Sequence, residues 1–175
     1  MASRIVCVVG RKNAGKTTLA VALAAEYVRR GRRVMTIKHS DHPADLDRAG
    51  TDSWRHFNEG SAERTLLAAP DLRVLFERAP DEYDPVALAR RYLDGADIVV
   101  AEGYKHARVP KIEVYRPDAG PPLYEAGRHD AGEWLGIVTD DAAFRAGCPV
   151  LRFGDTAWLT MLATLAWDGA LETGP

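Results

Sequence analysis

The chain is poor in everything that would mark it as secreted, membrane-bound or nucleic-acid-binding. It has two cysteines in 175 residues, Cys7 and Cys148. That count excludes a disulfide scaffold, and both lie in or beside apolar strand-like runs, as small buried hydrophobes of a reducing cytoplasm do. Charge of one sign is lacking: 23 Lys and Arg stand against 25 Asp and Glu, a formal net charge of -2. A basic footprint for nucleic acid is therefore not expected. No apolar run nears the roughly 20 residues of a membrane span. Met1-Ala2-Ser3-Arg4 leads straight into Ile5-Val6-Cys7-Val8-Val9, so neither a signal peptide nor a membrane partner is expected, and a cytoplasmic location is. There is no internal repeat. Apolar content of 46% and charged content of 27% are ordinary globular values, and the length suits one domain over 1–175.

What is present is concentrated near the start. Gly10-Arg11-Lys12-Asn13-Ala14-Gly15-Lys16-Thr17 spells G-x-x-x-x-G-K-[ST]. The apolar run before it reads as a buried strand, and 18–30 after it reads as a helix ending at Gly31. Strand, glycine-bounded loop and helix N-terminus together form a phosphate-binding device. The backbone N–H groups of such a loop turn toward the phosphates. Lys16 neutralises the β/γ oxygens, the Thr17 hydroxyl ligates Mg²⁺, and Lys12, Asn13, Ala14 and Thr18 complete the cradle.

The remaining pattern predicts an α/β protein. Val34-Met35-Thr36-Ile37 continues the first strand and helix as a parallel crossover. Residues 38–50 are polar and irregular, and Thr51 or Asp52 caps a short helix closed by Gly60. Two alternating runs, 64–67 and 72–76, suggest a hairpin. Asp84-Pro85 opens a helix with Leu88, Tyr92 and Leu93 inward and Gly95 at its end. Asp97-Ile98-Val99-Val100-Ala101 reads as a strand covered on both faces. Further strands are expected at 112–115, 135–139 and 150–153, with a Pro/Gly-rich loop over 117–132. Asp155 caps a last helix facing inward through Trp158, Met161, Leu162 and Leu165, and the tail 173–175 is expected to fray.

Several side chains fall where a doubly wound sheet binds ligands, beyond the carboxyl ends of its strands. Glu102 ends the apolar strand and is the candidate Walker-B acid, reaching Mg²⁺ directly or through water; Asp97 competes but sits at the wrong end. Lys38 and His39 follow the second strand. Asp41 or Asp47 is placed to hold Mg²⁺ or orient a water, and Lys38 to neutralise charge. His39, His42 and His56 leave a transition-metal site open. Thr51, Ser53, Arg55 and His56 offer donors to an anion or simply form a capped helix. Lys105 and Lys111 face a phosphorylated ligand or the solvent. No N-K-x-D guanine motif is present; Asp140, after the strand at 135–139, is the candidate acceptor for a guanine edge.

In order, these segments resemble the molybdopterin-guanine dinucleotide biosynthesis adapter family (MobB). The matching pieces are the phosphate loop, Ile37-Lys38-His39 with His42 and Asp47, and Gly50-Thr51-Asp52-Ser53-Trp54-Arg55-His56. Asp97 to Lys105 and Pro110-Lys111-Ile112-Glu113-Val114-Tyr115-Arg116 follow, so the likeness spans roughly the first two-thirds of the chain. Family loops often read Gly-x-Ser-Gly-Ser-Gly-Lys, whereas Arg11, Lys12 and Asn13 add charge here. The resemblance implies a three-layer P-loop NTPase fold: a mostly parallel twisted sheet, helices on both faces and an additional antiparallel strand pair. It further implies a homodimer that binds GTP and Mg²⁺, hydrolyses GTP weakly and assists the molybdenum cofactor guanylyltransferase, with molybdopterin an additional candidate ligand. The preference for GTP rests on this resemblance. Two alternatives stay open: a small-molecule kinase using the same loop, and a metal-delivery GTPase of the nickel-chaperone type.

Overall fold

The computed structural model describes residues 3–40, 42, 46–79, 84–125 and 133–174. They form two compact units, Met1–His39 with Asp84–Pro175, and Ser40–Tyr83.

The first unit is built on a parallel sheet. Its strands are β1 (Arg4–Gly10), β2 (Val34–Lys38), β5 (Ile98–Glu102), β6 (Lys111–Tyr115), β7 (Trp134–Thr139) and β8 (Val150–Arg152), in the order β2-β5-β1-β6-β7-β8. Chain order reverses at β1: the next strand of the crossover lies to one side of it and β6 to the other. That reversal opens a crevice at the carboxyl end of β1, where Gly10 stands.

Alternation along the central strands supplies two cores. Val6 and Val8 point to one face, with Val100, Ile112 and Val138. Helix α1 (Lys16–Arg29) covers it through Leu19, Leu23 and Tyr27, and α4 (Trp158–Gly169) through Leu162, Ala163 and Ala166. The Tyr27 hydroxyl donates to the Ala163 carbonyl at 2.9 Å and ties the two helices together. Ile5, Cys7 and Val9 point to the other face, with Val99, Ala101 and Trp134, under α3 (Pro85–Tyr92) through Ala89. Both faces are covered, which is why β1 and β5 can be apolar throughout.

In the second unit, α2 (Asp52–Asn58) is capped by Thr51, whose hydroxyl accepts from the Trp54 N–H. Strands β3 (Arg64–Ala68) and β4 (Arg73–Glu77) pair antiparallel as the expected hairpin.

Four local expectations are corrected. The tail does not fray as far as 174: β9 (Leu171–Glu172) pairs antiparallel with β1, and Thr173 donates to the Ser3 carbonyl from both its N–H and its hydroxyl. Helix α4 is not capped by Asp155, whose carboxylate accepts from the Arg152 N–H; Ala157, at φ 61°, precedes the first turn instead. Met161 is 57% exposed, because alanines 163 and 166 bring the helix close to the sheet on a neighbouring face. Tyr92 is likewise 41% exposed, and α3 buries Pro85 and Ala89.

Candidate functional site

The phosphate loop begins at Gly10, the last residue of β1, in register with Val114 of β6. Gly10 adopts φ +150°, and a Cβ there would lie 2.5 Å from the Val114 carbonyl oxygen of β6. Only glycine lets the chain turn this close to the next strand. Asn13 (φ 64°) and Gly15 (φ 104°) carry the left-handed conformations that reverse the loop. Asparagine is among the few non-glycine residues that adopt this region readily. Gly15 is the N-cap of α1, and no side chain caps that first turn. The positive end of the helix there suits an anion. Lys16 folds back over the loop, its Nζ donating to the Arg11 carbonyl at 2.9 Å.

Glu102 meets this loop from β5. Its position is set by parallel registers that put Lys38 of β2 opposite Glu102 and Val8 of β1 on the other side. The carboxylate is 6% exposed. Its Oε1 accepts from the Thr17 hydroxyl at 2.9 Å and from Lys38 Nζ at 2.5 Å. Thr17 and Glu102 are hard oxygen donors at one point beside the loop, a pairing that suits Mg²⁺. Lys38 supplies a positive charge to the same oxygen. His39 follows, its N–H bonded to the Glu102 carbonyl at 3.0 Å and its ring 4.7 Å from that of Tyr104.

The β6–β7 side was less visible in sequence. Arg116, just past the end of β6, donates from Nε to the Ala14 carbonyl at 3.2 Å and pairs through its guanidinium with Asp140. It also lies over the Phe153 ring at 4.6 Å. Asp140, the candidate guanine acceptor, therefore sits at the carboxyl end of β7 tied to an arginine that also grips the phosphate loop. A cation immediately after a strand beside the switch point was the signal that could have marked Arg116.

Other candidates lie elsewhere. Lys111 faces neither ligand nor solvent. It is 1% exposed at the amino end of β6, and its Nζ is held by the Ala107 and Val109 carbonyls and by Glu133 at 2.6, 3.1 and 2.6 Å. Such saturation is what permits a buried ammonium. Lys105 is exposed. Asp47 belongs to the second unit, where its Oδ1 accepts from the Thr51 hydroxyl at 2.9 Å. Asp41 lies outside the described residues. Among the described residues, no group of three or more His, Cys, Asp or Glu is arranged to hold a metal ion.

Comparison with known proteins bears on the same segments. The family model for molybdopterin guanine dinucleotide synthesis protein B matches residues 5–140. The chain belongs to the MobB family. One MobB relative, the molybdopterin-guanine dinucleotide biosynthesis adapter protein of Haemophilus influenzae, is 34% identical over 67% of this chain and 66% of its own length. The adapter protein of the same name from Escherichia coli is 37% identical over 61% of this chain and 62% of its own length. The match thus spans a little under two thirds of these relatives. A crystal structure of molybdopterin-guanine biosynthesis protein B superimposes with a TM-score of 0.67 at 25% identity, covering 94% of this chain and 98% of that one. The mostly parallel sheet and the antiparallel pair are those of the MobB fold.

Proposed function

We propose that this chain is a GTP-binding adapter in the formation of molybdopterin-guanine dinucleotide, with weak intrinsic GTPase activity. The observation that carries the reading is the meeting of Thr17 and Glu102 beside a glycine-bounded loop that opens at the switch point. Membership of the MobB family, and the names borne by the relatives above, support the biosynthetic setting. In this reading the loop amides and Lys16 bind the phosphates, and Thr17 and Glu102 hold Mg²⁺. The bound cation would neutralise charge between the terminal phosphates. Lys38 orients and partly neutralises Glu102. Asp140 accepts from the guanine edge once released from, or shared with, Arg116. The sequence holds no glutamine to orient an attacking water, in keeping with slow hydrolysis.

The adapter acts on the molybdenum cofactor guanylyltransferase, in the cytoplasm, as a homodimer. No helix among the described residues is long and apolar enough to cross a membrane. Support for self-association comes from the hairpin of the second unit. Leu66 and Leu75 face each other across its strands and are 61% and 45% exposed, and Leu67 and Leu72 are 43% and 60% exposed. The ribbon packs on α2 through Phe57 and Phe76, whose ring centroids are 6.1 Å apart, and its exposed leucines call for a further covering surface. A small-molecule kinase would need a lid rich in arginine, and two candidate arginines of this unit are engaged within it. Arg64 is paired with Glu77, and Arg78 donates to the Phe57 and Ala62 carbonyls.

The test is incubation with Mg·GTP, followed by phosphorus NMR, with the guanylyltransferase present and absent. Without the transferase, the adapter reading expects only GDP and inorganic phosphate, formed slowly; with transferase and molybdopterin present, it expects more dinucleotide and pyrophosphate when adapter is added. Phosphate transfer to a small acceptor, or no effect on the transferase, would contradict it.

A further inference from the structure

Glu113 is a charged residue that the nucleotide reading leaves unused. It lies mid-strand in β6, between Val9 of β1 and Ile137 of β7, and is 0% exposed. An acidic side chain at the centre of a parallel sheet is costly unless its oxygens are bonded. Here both are: Oε1 accepts the Leu123 N–H at 2.6 Å, and Oε2 the Tyr124 N–H at 2.9 Å. Burial pushes the carboxyl above the usual range while these two bonds pull it back.

The anchored segment reaches toward both ends of the site. The Pro121 carbonyl accepts from Arg11 Nε of the phosphate loop at 3.0 Å. The Tyr124 hydroxyl accepts the Gly147 N–H at 2.9 Å, in the β7–β8 connection that begins at Asp140. A Cβ on residue 147 would lie 2.9 Å from that hydroxyl, so glycine is what admits the contact. The Tyr124 ring stands edge-on to Trp134 at 5.7 Å, which fixes its direction. A chain of contacts thus runs from the phosphate loop, through residues 121–124, to the loop on the base side, with one buried carboxylate in its middle.

We propose that Glu113 is a positioning residue: it pins residues 121–124 as a strap that holds the Arg11 side of the phosphate loop and the β7–β8 connection in register, and so sets affinity for a nucleoside diphosphate without touching it. The inference rests on the nucleotide-binding reading above. It assigns to Glu113 a role that neither the loop motif nor the strand pattern implies. A glutamine there keeps the volume but presents an NH₂ to one of two N–H donors, so half of the anchor is lost.

The test is titration of GDP into the wild type, Glu113→Gln, Glu113→Asp, Arg11→Lys and the Arg11→Lys/Glu113→Gln double variant, with melting temperatures recorded. Loss of one charge-assisted bond predicts about tenfold weaker GDP binding for Glu113→Gln. Glu113→Asp, which keeps both oxygens, recovers part of the loss. Arg11→Lys keeps its charge and weakens binding a few-fold, and the double variant binds no worse than Glu113→Gln, because both cut one chain of contacts. Losses that multiply, or a Glu113→Gln protein that binds as the wild type does, would overturn the role of the strap while leaving nucleotide binding intact. A wild type that binds no GDP would overturn both. Where Glu113→Gln does not fold, Arg11→Lys and Tyr124→Phe cut the two ends of the strap separately, and unchanged GDP affinity in both overturns it.

Discussion

The Thr17 hydroxyl donates to the Glu102 carboxylate at 2.9 Å, joining the first turn of α1 to the end of β5 across 85 residues of sequence. Neither residue is remarkable alone, since one is a helix threonine and the other a strand-end acid. Their meeting follows from β5 lying directly beside β1 in the sheet, although three strands of the chain, β2 to β4, separate them in sequence order. Glu102→Gln keeps the shape and removes the charge. The Mg²⁺ dependence of GTP affinity is expected to fall about 10- to 100-fold, as when a supporting ligand to a cation is lost, while Mg²⁺-free GDP binding changes little. Titrations with and without Mg²⁺ measure the difference, and an unaltered Mg²⁺ dependence would remove Glu102 from the cation site.

Lys111→Ala removes the ion pair to Glu133 and takes the buried donor away from the Ala107 and Val109 carbonyls. Leaving buried acceptors unsatisfied costs about 1–3 kcal/mol. Urea denaturation is expected to show that loss, while GDP affinity in the folded variant stays near wild type, because Lys111 opens β6 at the end away from the phosphate loop. A loss of affinity larger than the loss of stability would return Lys111 to the ligand site.

The architecture was largely legible in the residues because the period of the pattern was unambiguous. Five consecutive apolar residues at 5–9, then glycine, lysine and threonine, fix a strand, a loop and a helix with little freedom. Helix ends were less legible. Asp155 looked like a cap, yet its carboxylate serves the Arg152 N–H instead. Met161 fits an inward stripe by spacing, but small alanines turn α4 so that another face packs. The site divides in the same way. The loop and Glu102 carry local signals. Arg116 carries half of one, a cation just past a strand; Glu113 and Tyr124 carry none, because their roles arise from strand order and from a loop crossing over two strand ends, which no window of sequence contains.

Glu26 gives acid sensitivity with a defined sign. Arg29 and Arg30 bond its carboxylate and hold its pKa down to about 2, from an ordinary 4.5. A depressed folded-state value means the stabilisation is present above the unfolded value and is lost as pH falls from about 4.5 toward 2. Glu26→Gln is expected to flatten the melting temperature across that window relative to wild type. Equal slopes in the two proteins would show that the pair contributes nothing.

Cys7 is fully buried in β1, and burial pushes its thiol up to about 12. A neutral, enclosed thiol is not a nucleophile. Ellman's reagent at pH 8 is expected to leave Cys7 unmodified in the folded protein and to modify it after denaturation in urea; peptide mapping separates it from Cys148. Rapid native labelling of Cys7 would mean that β1 opens.

The central claim is that the loop from Gly10 to Thr17 closes on a triphosphate, and calorimetric titration of Mg·GTP into wild type and Lys16→Ala tests it most directly. The account predicts one site per chain in the wild type and at least about 100-fold weaker binding in the variant, the roughly 2.7 kcal/mol of a charge-assisted contact to phosphate. Equal heats and affinities in the two proteins, or no binding by a folded wild type, would contradict it.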